Sequence, residues 1–122
     1  MESPEILDRA HLARYTMGDA VLEQEVLGLF IGQVPETVAM LRNSGDAEAW
    51  MRAAHTIKGS ARAVGAWKLA EAAERAENRC RQQERWQSLA DEIEAAVEEV
   101  RLCIVANKKN VCHPNVLSDQ CL

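Results

Sequence analysis

The sequence predicts an all-α protein, an up-down antiparallel four-helix bundle with a short extra N-terminal helix. Three observations predict it. Apolar residues recur at the helical period in several long stretches, and no stretch alternates as a strand does. Aromatics make up 4% of the chain while Ala and Leu abound, so the core should consist of small and straight aliphatic side chains, which suit close helix packing. The connections between stretches are short, which makes consecutive helices antiparallel neighbours.

The first helix is expected within residues 4–16, with Ser3 or Asp8 as N-cap and Pro4 suited to a first turn. Thr16-Met17-Gly18 breaks it, and Asp19 can cap the next. Residues 19–43 read as a long amphipathic helix with Leu22, Val26, Leu29, Phe30, Val38 and Leu41 on one side. Pro35 removes one backbone donor inside it, so a local bend is expected there. Asn43-Ser44-Gly45-Asp46 stops that helix and starts another over 46–64, whose inner stripe is Trp50, Ala54, Ile57, Ala61 and Val64. Gly65 closes it in a very short turn. The fourth helix covers about 66–82, with Leu69, Ala73, Ala76 and Cys80 facing in. After a weak break at Arg81-Gln82-Gln83-Glu84, the fifth runs about 85–106 on Trp86, Leu89, Ile93, Ala96, Val97, Val100 and Ile104.

At 122 residues the chain makes one domain, read as 1–106, with 107–122 a poorly ordered tail because the period is lost and Pro114 intervenes. A net charge of −5 without a basic cluster argues against nucleic-acid binding. No apolar run approaches a membrane span, and Met1-Glu2-Ser3-Pro4-Glu5 lacks the basic and apolar regions of a signal peptide. Cys80, Cys103, Cys112 and Cys121 are spaced irregularly, which suits reduced thiols in a cytoplasm better than disulfides. Cys103, Cys112, His113 and Cys121 match no common zinc spacing, so no metal site is assigned.

The chemistry-bearing residues flank the buried stripe of the third helix. Met51, His55, Lys58 and Arg62 form one continuous row. His55 follows the core residue Ala54, about 100° further round the helix, at the edge of the core and near solvent. Gly59 lies one turn past His55 inside an otherwise strong helix, where glycine costs about 1 kcal/mol relative to Ala. It is kept either for tight helix packing or to clear space for something bulky that must reach His55. Lys58 favours the second reading, because an ammonium suits a phosphoryl group.

An imidazole is a nucleophile near neutral pH because its unperturbed pKa is about 6.5. Attack by one ring nitrogen requires the proton to sit on the other. A carboxylate accepting from that second nitrogen fixes the tautomer. With Gly65 as the turn of a helical hairpin, residues about as far after it as His55 is before it lie level with the imidazole. Glu77 is level and flanks the inner stripe of its own helix, between Ala73 and Cys80, so it is the candidate orienter. Glu74 is level too but on a different face. The competing role for Glu77 is a solvated charge paired with Arg81.

Ala54-His55-Thr56-Ile57-Lys58-Gly59-Ser60-Ala61, followed by Gly65-Ala66 and Leu69-Ala70, resembles the signature of histidine-containing phosphotransfer (HPt) domains. Gly18-Asp19 and Phe30 add to a resemblance that spans roughly residues 6–100. The resemblance implies that His55 is phosphorylated on Nε2, that Lys58 supports the phosphoryl group, and that Gly59 leaves room for a partner. It also implies Glu or Gln near the histidine, where Glu77 stands, and docking contacts from Met51, Arg52, Arg62 and Lys68. The implied partners are response-regulator receiver domains and a hybrid sensor histidine kinase. No cofactor is expected on this chain, since Mg²⁺ belongs to the acidic site of a receiver. The chain lacks an ATP-binding domain, so a covalent phosphoryl carrier without autokinase activity is expected, monomeric and cytoplasmic. The alternative is a non-phosphorylated helical adaptor that binds receivers. A hydrolase using His55 and Glu77 is weaker, because the flank of a bundle offers no oxyanion site.

Overall fold

A computed structural model describes residues 6–112, with side chains described from 6 to 106. Its elements are α1 (Arg9–Tyr15), α2 (Ala20–Arg42), α3 (Ala47–Val64), α4 (Trp67–Asn78) and α5 (Trp86–Cys112), with a 3₁₀ turn at Gln83–Arg85 before α5. No strand occurs among the described residues.

Three aspartates start three helices. Asp8 accepts from the amide of His11 at 3.0 Å, Asp19 from those of Val21 and Leu22, and Asp46 from that of Ala49 at 2.8 Å. Asp8 and Asp46 each fill one, and Asp19 two, of the amide sites that a helix start leaves unpaired. Gly65 ends α3 with φ +79°, in the left-handed region. The amide of Ala66 reaches the carbonyl of Ala61 at 2.8 Å and that of Gly65 the carbonyl of Arg62 at 3.2 Å, the Schellman pattern. This turn also anchors the N-terminal segment. The Asp8 amide donates to the Gly65 carbonyl at 2.9 Å, and Trp67 Nε1 donates to Asp8 Oδ2 at 2.8 Å. A Cβ at residue 65 would stand 3.0 Å from both Cβ and O of Asp8, so this glycine serves the turn and the close approach together.

The four long helices close a ring. α3 packs against α2 and α4, and α5 packs against the same two, while α1 lies on α3. Ion pairs mark the directions. Arg75 meets Glu92 and Lys68 meets Glu99, both at 3.2 Å, so α5 descends as α4 climbs. Arg42 in the last turn of α2 meets Asp91 and Glu94 near the start of α5.

The core inside the ring contains Leu41, Trp50, Ile57, Leu69, Ile93 and Val100, all fully buried. Alanines 53, 54, 61, 70, 72, 73 and 76 line the inner faces of α3 and α4, and their small side chains let those helices approach closely. Trp50 stacks on Trp86 with ring centroids 4.4 Å apart, and its indole N–H donates to the Ala76 carbonyl at 2.8 Å. That bond ties α3 to the end of α4.

Several elements depart from the sequence reading. α1 begins at Arg9, capped by Asp8; the other expected start residues, Ser3 and Pro4, lie outside the described residues. On α2 the buried side is Leu27, Phe30, Val34, Val38 and Leu41, whereas Leu29 is 63% exposed and Leu22 is exposed as well. Phe30, Val38 and Leu41 are buried as expected and Val26 packs against the core; Leu22 and Leu29 are not, because a long apolar helix offers several adjacent stripes and only packing selects one. α2 continues through Pro35. α4 ends at Asn78, which leaves Cys80 beyond it, half-buried against the core. α5 runs to Cys112, past the expected end at 106. The remainder of the expected tail, 113–122, lies outside the described residues. No helix among the described residues is long and apolar enough to cross a membrane.

Candidate functional site

The site is built on α3 and α4, the pair with the most extensive mutual packing. His55 stands at the middle of α3 between the buried residues Ala54 and Ile57, and its side chain is 67% exposed. Its Nδ1 lies 3.0 Å from Glu77 Oε2 on α4. The other oxygen of that carboxylate, Oε1, is 2.7 Å from Lys58 Nζ. One carboxylate therefore joins the imidazole and the ammonium. Exposure falls sharply across the three, since Glu77 is 18% and Lys58 16% exposed.

This gradient follows from the helix positions. Lys58 sits one residue past fully buried Ile57 and four past Ala54, so its stem is laid along the α3–α4 seam. Glu77 takes the matching position after Ala73 and Ala76. His55 points further from the seam and keeps only its Nδ1 edge against α4. Burial by itself works to raise the Glu77 carboxyl, but hydrogen bonds from Lys58 and His55 outweigh it and hold the group below its ordinary value of 4.5. Glu77 is thereby kept an acceptor. An ionised carboxylate facing Nδ1 requires the proton on Nδ1, which leaves the lone pair on Nε2.

Gly59 sits in open space. A Cβ there would have no neighbour within 4 Å, so no internal packing demands a glycine. The surface beside His55 is consequently low, one turn along the helix.

The expected flanking residues divide. Met51 lies one turn before His55, with its side chain partly exposed. Arg52 is exposed and pairs with Glu48 at 3.1 Å along the same helix. Arg62 reaches across the seam to within 3.7 Å of Glu74. Lys68 turns the other way and is tied to Glu99 on α5. The row on α3 is thus brought around the imidazole, while Lys68 belongs to the α4–α5 seam. Glu77 pairs with His55 and Lys58, not with Arg81. The link between Lys58 and Glu77 went unforeseen, though a signal existed: each stands four residues past an inner alanine on the facing flanks of one hairpin. His11 packs edge-on against Trp67 at 4.9 Å, far from this chemistry in the chain and in a structural contact.

An all-helical ring carrying a half-free histidine, oriented by a carboxylate and beside an empty step, belongs to a defined class. The family model of the Hpt domain matches residues 25–102, and the chain belongs to that family. Its role is phosphotransfer in two-component signalling. Among solved structures, the crystal structure of histidine-containing phosphotransfer protein B (HptB) from Pseudomonas aeruginosa PAO1 is similar, with a TM-score of 0.78 and 26% identity. The likeness covers 88% of this chain and 98% of that one. No curated protein sequence matches this chain.

Proposed function

We propose that this protein carries a phosphoryl group on His55 Nε2, accepting it from the aspartyl phosphate of one receiver domain and giving it to the aspartate of another. The observation that carries the reading is the imidazole itself: exposed to a second molecule on one edge, and held at Nδ1 by Glu77 on the other.

The step balances without an added base. The Nε2 lone pair attacks phosphorus in line. The bond from phosphorus to the acyl oxygen breaks, and its electron pair returns to the receiver's aspartate as a carboxylate. The ring, still protonated on Nδ1, gains positive charge as the N–P bond forms. Glu77 lies against that edge and stabilises the charge. Reversal of the same steps delivers the group to the next receiver. Mg²⁺ is supplied by the receiver's acidic site, and this chain contributes no cofactor.

The ring of four long helices is read as an up-down antiparallel bundle with α1 as its short extra helix. The protein works as a cytoplasmic monomer between a hybrid sensor histidine kinase and response-regulator receivers. Gly59 leaves clearance for a receiver to bring its phosphoaspartate to the imidazole. Met51, Arg52 and Arg62 lie close enough along α3 to join that contact.

The test is to mix the protein with ³²P-labelled receiver domains and follow the label. Transfer in an acid-labile, base-stable form, mapped to His55, is the expected outcome. Binding to receivers without transfer would instead mark a non-phosphorylated adaptor.

A further inference from the structure

The chain has a net charge of −5. Among the described residues every lysine and arginine stands in an ion pair with a carboxylate, with four exceptions: Arg14, Arg79, Arg81 and Arg85. Three of the four share the turn between α4 and α5. Arg81 and Arg85 are exposed, and Arg79 is half-buried. Glu84 is the one acid between Asn78 and Gln87, and Gln82 and Gln83 beside it are neutral. The turn is therefore a local surplus of positive charge on an acidic protein.

The turn is held in a fixed place. The amides of Arg79, Gln82 and Arg85 donate to the carbonyls of Ala76, Arg79 and Gln82 at 3.2, 3.0 and 2.8 Å, each to the residue three before it. Trp50 of α3 holds both ends. Its indole N–H donates to the Ala76 carbonyl, and its ring stacks on Trp86. Trp50 is five residues before His55, about 7.5 Å along the axis of α3. Glu77, which meets the imidazole, is the last residue but one of α4. The arginines thus begin two residues beyond the site, on a backbone tied to the helix that carries the nucleophile.

A receiver has to bring an acidic site to His55, and a surface of net charge −5 repels it. Arginines without an acid of their own, next to the target, reverse the local field. Such a field acts on the rate of encounter more than on the chemistry that follows. A long polyanion fits less well, because it would also lie across the acidic remainder of the surface.

We infer that Arg79, Arg81 and Arg85 form a steering surface for receiver domains: they draw the receiver's acidic site toward His55 and set the association rate, and they take no part in the transfer step. The inference rests on the reading of His55 as the carrier.

The test separates encounter from chemistry. Association is followed by stopped flow with a fluorophore-labelled receiver, the one that transfers label to His55 best. Replacing all three arginines (Arg79→Gln, Arg81→Gln, Arg85→Gln) is expected to slow association about tenfold at about 20 mM salt and to flatten its dependence on salt. The corresponding triple Lys variant keeps the charge and is expected to associate within about twofold of wild type. A control with Arg14→Gln, Arg75→Gln and Arg101→Gln loses the same charge elsewhere and is expected to slow association less than about threefold. Transfer at saturating receiver is expected to stay within about twofold of wild type in the triple Gln variant, with helical circular dichroism unchanged.

Equal association rates in wild type and the triple Gln variant would overturn the inference. So would an equal loss in the control, which would make net charge and not this turn responsible. A tenfold fall in the saturated transfer rate would place the arginines on the moving group and overturn it as well. Retention of the wild type by RNA or anionic vesicles through this turn, with receiver association unchanged by the substitutions, would mark a polyanion site instead. Failure of the wild type to accept label from any receiver sinks the carrier reading, whereas normal transfer with unchanged association sinks only the steering role.

Discussion

Two polar clusters join helices in this protein on the same plan, one charged side chain shared by two partners. On the α2–α5 side Arg42 donates to Glu94 at 2.8 Å and to Asp91. On the α3–α4 side Glu77 is shared by Lys58 and His55. The first cluster lies in solvent, with both of its carboxylates more than half exposed. The second has its central carboxylate and its lysine drawn into the seam, and only the imidazole left outside. In water an ion pair gains little, because the charges are already well solvated. Partly out of water the same arrangement dictates who holds a proton and where a side chain points. Similar chemistry therefore makes a weak clasp in one place and an oriented nucleophile in the other.

The sharpest test of this contrast is His55→Gln. It should abolish acceptance of a phosphoryl group while the helical circular dichroism stays as in the wild type, since the ring lies outside the core. A variant that still takes up label at normal yield would place the reactive group elsewhere.

The two glycines of α3 and its cap should respond with opposite sign. Gly65→Ala forces a side chain into the left-handed region and against Asp8. It should cost about 2 kcal/mol and lower the thermal midpoint by about 8 °C. Gly59→Ala meets open space within a helix and should gain up to about 1 kcal/mol. Gly59→Gln, by contrast, should weaken receiver binding without loss of stability. Unfolding curves and a binding titration check all three, and normal receiver affinity for Gly59→Gln would remove the steric role.

Glu77 should leave a signature in acid. Its carboxyl sits below 4.5 in the folded protein. A depressed folded value contributes stability that is present above the unfolded value and is lost as pH falls through the folded one. The stability difference between wild type and Glu77→Gln should thus be constant above about pH 5 and shrink below it. A difference that does not change across that range would mean that Glu77 is no better stabilised as an anion in the folded state than in the unfolded one. The smallest effect is expected from Arg42→Met: under about 1 kcal/mol, and fading as salt is added. A large salt-independent loss would mean that the α2–α5 cluster is as consequential as the α3–α4 one.

Much of this was legible in the residue order, and unevenly so. The three aspartate caps, Gly65 as the end of α3, and the stripe Trp50, Ala54, Ile57, Ala61 and Val64 all follow from local rules, because a cap bonds within its own turn and periodicity is a property of one helix. The position of His55 at the rim of the core follows from its place after Ala54. Glu77 could be matched to it because a two-residue turn leaves little freedom in the register of the hairpin.

Other features needed the assembled molecule. Leu29 and Leu27 are equally apolar, and only the helices packed around α2 decide that Leu27 goes in. The reach of Lys68 toward α5 depends on which neighbour stands beside α4. Above all, the choice of Lys58 between solvent and Glu77 is a balance between hydration and one buried partner on another helix. Spacing along a chain sets the angle at which a side chain leaves its own helix. It does not say where a long, charged side chain ends, since that depends on distances between helices far apart in sequence and on how much water remains between them.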